Sequence, residues 1–64
     1  MEVKPLLSAA DVAALLDVKI GTVYAWTEQG RLPHVRLGRR AVRFDRDEIL
    51  AWIESQRVPA EAAS

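Results

Sequence analysis

Sixty-four residues without a cysteine leave room for one domain and one small core: a chain this short buries only roughly 60% of the surface it exposes when unfolded, so an enclosed substrate cavity is not expected. The lack of cysteine excludes a disulfide framework, a thiolate metal site and a cysteine nucleophile, and suits a reducing cytosol. Nine Lys plus Arg against nine Asp plus Glu give a formal net charge of zero, but six arginines (Arg31, Arg36, Arg39, Arg40, Arg43 and Arg46) fall within residues 31–46 against the single acid Asp45, and the flanking segments are acidic.

Residues 1–5, Met-Glu-Val-Lys-Pro, form a lead-in without the apolar run of a secretory signal. No stretch approaches the roughly 18 apolar residues of a membrane span, so a cytoplasmic chain without membrane contact is expected. A first helix is predicted over residues 9–16. Ser8 and Asp11 have the spacing of a capping box, and Leu7 and Val12 that of a hydrophobic staple. Val12, Leu15 and Leu16 recur at i, i+3 and i+4, predicting its buried face.

Asp17-Val18-Lys19 interrupts that period, and a second helix is predicted over residues 20–29, with Val23 and Trp26 toward the core and Gly30 as the left-handed residue that ends it. Gly21, Thr22, Val23 and Thr27 are poor helix formers and Lys19 is not a capping residue, so packing must hold this helix.

In residues 35–44, Val35 and Leu37 alternate with Arg36, and Val42 and Phe44 alternate with Arg43. This is the period of two short strands with their apolar residues on one face and Arg36 and Arg43 on the other. Gly38 marks the turn, and the apolar face should lie on the helices. Asp45 and Glu48 open a third helix as cap and box, with Phe44 and Ile49 as staple. Its stripe, Ile49, Trp52 and Ile53, runs to about Gln56; Pro59 ends the pattern, and residues 57–64 read as a flexible tail. The expected domain is residues 6–56, mainly α with three helices and one small β-hairpin.

Most acids have local structural duties. Asp11, Asp45 and Glu48 start helices and Asp47 complements a helix dipole, which leaves no constellation of catalytic residues. One histidine, His34, cannot build a metal site without carboxylates already used as caps, so no metal and no cofactor is expected. His34 reads as a loop or strand-opening residue, and Ser8 as a cap rather than a nucleophile.

The arginine-rich hairpin is the strongest functional signal. All its basic residues are Arg, whose planar fork suits phosphate, and Gly38-Arg39-Arg40 places two charges at a narrow tip able to enter a minor groove. Two short helices about three residues apart match the helix-turn-helix arrangement, whose second helix lies in the DNA major groove. With Val23 and Trp26 inward, Lys19, Gly21, Thr22, Ala25 and Tyr24 turn outward. Thr22 and Tyr24 then offer hydroxyls to phosphates or base edges, and Lys19 a charge at the first turn. Tyr24 stands equally well as a half-buried packing residue, whereas Trp26 and Trp52 belong to the core.

The segments Leu6 to Val18, Thr22-Val23-Tyr24-Ala25-Trp26, Gly30-Arg31-Leu32-Pro33, Val35-Arg36-Leu37-Gly38-Arg39-Arg40 and Ala51-Trp52-Ile53, in this order and spacing, resemble the excisionase-family DNA-binding domain. The resemblance covers roughly residues 6–54. It implies a winged helix-turn-helix fold of the MerR-like type, in which the second helix enters the major groove and the hairpin, or wing, follows phosphates or the adjacent minor groove. It also implies DNA-binding roles for Lys19, Thr22, Tyr24, Arg36, Arg39, Arg40 and Arg43, with Gly38 as the wing turn. Such proteins bend double-stranded DNA, self-associate cooperatively on it and assist a tyrosine or serine recombinase (integrase) of a phage or mobile element; no bond is made or broken. The chain departs from the family with Asp17 for Gly, Lys19 for Ser or Thr, and Ala25 for a basic residue, which leaves few groups able to read bases. A small transcriptional regulator of the same fold and a protein-interaction module are the alternatives.

Overall fold

A computed structural model describes residues 5–39 and 41–60 of the chain. In order, these form α1 (Ala9–Leu16), α2 (Ile20–Glu28), β1 (Val35–Arg36), β2 (Val42–Arg43) and α3 (Arg46–Ser55). Helices dominate, and the two strands pair antiparallel as a single hairpin. Residues 1–4 of the expected lead-in, residues 61–64 of the expected tail, and Arg40 lie outside the described residues.

Helix α1 starts as its sequence predicts. The Asp11 N–H donates to Ser8 Oγ at 3.1 Å and the Ser8 N–H donates to Asp11 Oδ2 at 3.0 Å, closing the capping box. Hydrogen bonding by the Ser8 backbone N–H, and then by the Ser8 hydroxyl, holds the Asp11 carboxyl below its ordinary pKa. In α3 Asp45 accepts from the Glu48 N–H at 3.0 Å, so the cap forms, but Glu48 does not return the bond and the expected box is half made. Lys19, ahead of α2, makes no side-chain capping bond.

Both helices of the α1–α2 pair end in the same way. Asp17 adopts the left-handed conformation (φ 56°, ψ 47°); its N–H donates to Ala14 O and the Val18 N–H to Ala13 O at 3.0 Å. Gly30 repeats this after α2 at φ 71°: its own N–H donates to Thr27 O and the Arg31 N–H to Trp26 O at 2.9 Å. Each is a Schellman closure, satisfying carbonyls the helix would otherwise leave bare. Because the closure is tight, three residues suffice to turn the chain from α1 into α2.

Val12, Val23, Leu32, Phe44 and Ile49 are fully buried, with Ala9 and Ala13 beside them. The expected α1 stripe is therefore corrected: Leu15 is 42% exposed, and the inward face is Ala9, Val12, Ala13 and the half-buried Leu16. These positions also follow i, i+3, i+4, i+7. Two alanines bring the backbone of α1 close to its neighbours, a contact that a count of large apolar residues overlooks. Thr27 is buried on α2, and its hydroxyl is satisfied by donating to Val23 O at 2.7 Å. The half-buried Trp26 and Trp52 pair with ring centroids 5.9 Å apart and tilted by 44°. Trp52 Nε1 donates to Arg31 O at 2.7 Å, tying α3 to the segment after α2.

A backbone pairing joins the starts of α1 and α3. Leu7 and Phe44, the residues ahead of the two capping residues, form an antiparallel bridge, Leu7 N–H to Phe44 O at 2.8 Å and Phe44 N–H to Leu7 O at 2.9 Å.

The hairpin register differs from the expected one. Val35 stands opposite Arg43 and Arg36 opposite Val42. Directly opposed residues share a face, so Arg36 and Arg43 lie on opposite faces of the ribbon and not together on one. The period-2 reading pairs the strands one residue out of register, and such a slip reverses every side chain of one strand. The same register puts Leu37 opposite Ala41, whose carbonyl accepts the Leu37 N–H at 2.7 Å. Leu37 thereby leaves the face of Val42 and Phe44, and it is 58% exposed where a buried position was expected.

Candidate nucleic-acid interface

The α1–turn–α2 unit and the hairpin hold the residues expected to meet DNA. Lys19 is exposed at the start of α2, in extended conformation. Its carbonyl accepts the N–H groups of Thr22 at 2.9 Å and Val23 at 3.3 Å, so the residue helps to open the helix through its backbone while its side chain remains in solvent. Thr22 is half-buried. Tyr24 is 52% exposed, which places its ring outside the core. Ile20, one turn before Tyr24, is 45% exposed on the same side of the helix. From sequence Ile20 has no role beyond the start of the helix; its i, i+4 spacing to Tyr24 is the signal that finds it.

On the hairpin Arg36, Arg39 and Arg43 are exposed, and Gly38 at the turn has φ 157°, a conformation that side-chain-bearing residues rarely adopt. Arg40 lies outside the described residues. The ribbon thus carries an arginine on each face and Arg39 near its tip, with Arg43 Nη1 donating to Val42 O at 2.8 Å. Arg31 does not join this group: its guanidinium sits 5.4 Å from the centroid of the Trp26 ring, an arrangement typical of cation–π contact. Arg46 lines a shallow hollow with Leu7, Asp11, Ala14 and Leu15.

His34 is half-buried and its Nδ1 donates to Leu32 O at 2.9 Å, which fixes the ring in the loop that leads to β1. Among the described residues no three His, Asp or Glu side chains gather where they could hold a metal ion, and no helix is long and apolar enough to cross a membrane.

A family model described as a helix-turn-helix domain matches residues 6–57 of the chain. The chain is also similar to the transcriptional repressor DcmR of Methylorubrum extorquens, at 36% identity over 59 residues, or 91% of this chain. It spans 22% of the length of that relative. No solved structure matches.

Proposed function

The chain belongs to the helix-turn-helix domain family, and from that premise we propose that it binds double-stranded DNA through α2 and the hairpin, without catalysing a reaction, as the DNA-binding element of a transcriptional regulator. The observation that carries this reading is the placement of the basic residues. Arg36 and Arg43 on opposite faces of one narrow ribbon, with Arg39 toward its tip, suit a wing seated in a groove, where each face meets a different phosphate strand. Lys19 adds a charge at the start of α2, and the first turn of that helix attracts phosphate through its N–H groups and dipole. Arg40, next to Arg39 in sequence, belongs to the same set. The regulatory role is favoured by similarity to a transcriptional repressor over nearly the whole of this chain.

About four phosphate contacts imply a slope of log affinity against log salt near −3 to −4. Titrating the protein against a random-sequence duplex at several salt concentrations measures it. Arg36→Ala with Arg43→Ala should flatten the slope by about 2. A slope near zero, or one unchanged in this variant, overturns the reading.

A second reading is favoured by the excisionase-like order of segments from Leu6 to Ile53: an accessory factor that binds adjacent sites cooperatively, bends the DNA and directs a tyrosine or serine recombinase. Footprinting with and without a recombinase separates the two. Protection of direct repeats that extends when the recombinase is added supports the accessory role; isolated sites indifferent to the recombinase support the regulatory one. Both place the protein in the cytoplasm, on the nucleoid.

A further inference from the structure

Helix α2 has no lysine, arginine, asparagine or glutamine along its length. Those are the side chains that read guanine and adenine edges in the major groove. Of its hydroxyls, Thr27 is buried and committed to Val23 O, Thr22 is half-buried, and that of Tyr24 is carried at the end of an exposed aromatic ring. What α2 presents outward is a surface of another kind. Ile20 and Tyr24 project one turn apart, 45% and 52% exposed, and the exposed Gly21 and Ala25 lie beside them.

Nothing inside the fold accounts for Gly21. It has no positive φ, and a Cβ built there would meet no atom of the described residues within 4 Å beyond its chain neighbours and its own helix backbone. A glycine in a helix costs roughly 0.5–1 kcal/mol relative to alanine, so its virtue lies toward the outside, where it allows close backbone approach. Two small residues beside a projecting aliphatic side chain and a projecting aromatic ring make a low surface with two knobs.

Resting on the DNA-binding reading above, we infer that Ile20 and Tyr24 are base-reading residues whose target is the C5-methyl group of thymine in the major groove. Each base pair shows hydrogen-bonding groups along that groove, and the thymine methyl is its apolar feature. A helix face without a bidentate reader but with an aliphatic side chain and an aromatic ring one turn apart matches that feature and discriminates by van der Waals contact. Sequence preference then resides in α2, and the salt-dependent, sequence-blind attraction resides in the wing arginines.

The test compares four short duplexes: alternating A·T, the same with deoxyuridine for thymidine, alternating G·C, and the same with 5-methylcytosine for cytosine. Removing the thymine methyls should weaken binding by about fourfold for each methyl buried, about fifteenfold for two. Adding the cytosine methyl, which occupies the same groove position, should strengthen binding to G·C. Ile20→Ala with Tyr24→Ala should abolish both differences while the far-ultraviolet circular dichroism stays that of the wild type. Arg36→Ala with Arg43→Ala should weaken all four complexes and leave their ratios intact. Equal affinity for the thymidine and deoxyuridine duplexes, with the salt slope retained, overturns the methyl-reading role and spares the DNA-binding one. No binding to any duplex at low salt overturns both.

Discussion

Helices α1 and α3 each begin on a side-chain cap, Ser8 for one and Asp45 for the other, and the residues ahead of those caps, Leu7 and Phe44, exchange two backbone hydrogen bonds. Helix α2 begins on Lys19, whose side chain caps nothing, and continues through Gly21, Thr22 and Val23, residues of low helix propensity. Helices α1 and α3 are thus determined locally and then locked together. Helix α2 holds its shape through Val23, Thr27 and Trp26 packed on what the other two provide. A short helix whose formation depends on packing is stable only while its scaffold is. The division also leaves the start and outer face of α2 free of internal duties, which is what the proposed DNA contact requires.

The most severe way to break this arrangement is Phe44→Ala. The side chain is fully buried beneath the bridge that joins α1 and α3, and its loss should cost about 3–5 kcal/mol. A domain of this size has a total stability of about 3–10 kcal/mol, so thermal denaturation should find the variant largely unfolded or melting far below the wild type, with α2 lost together with its scaffold.

Removing one cap is milder. Ser8→Ala or Asp45→Ala should each lower stability by about 1 kcal/mol in urea titration. If neither moved the midpoint, the local determination of α1 and α3 would be refuted.

The comparison is sharpened by giving α2 what it lacks. Lys19→Ser installs a capping hydroxyl and should raise stability by about 0.5–1 kcal/mol, while weakening DNA binding through the loss of a charge. A variant that gained in both would show that Lys19 is not part of the interface.

The smallest effect is one of pH. Asp11 has a depressed pKa in the folded state, so its capping bonds contribute stability above the ordinary carboxylate range, and this contribution is lost as pH falls through the folded value. The gap in urea midpoint between the wild type and Asp11→Asn should therefore narrow on acidification; a gap independent of pH would mean that the carboxylate charge does not matter to the cap.

Much of this was legible in the chain. Capping residues and Schellman closures act within a few residues, so the start of α1 at Ser8, the start of α3 at Asp45, the left-handed Gly30 and the absence of a cap at Lys19 could be read before any contact was known. The segregation of six arginines into residues 31–46 pointed equally directly to the hairpin. Leu32 was harder to read: it is almost wholly buried, yet it lies in an irregular segment without a period to mark it. Leu15 misleads because hydropathy ranks one large apolar side chain above two alanines, while the close packing of α1 favours the alanines.

By itself, then, the sequence determined the starts of α1 and α3, the left-handed end of α2 and the basic ribbon that follows, because each depends on side chains acting on nearby backbone, whereas the body of α2 needs the packing of the other two helices. Tertiary structure alone decided the Leu7–Phe44 bridge, the burial of Leu32, and the hairpin register that separates Arg36 from Arg43. Alternation along a strand says which side chains share a face within that strand. Which face of the partner strand lies beside them depends on where the two strands meet, and a shift of one residue, invisible in the alternation, reverses the answer.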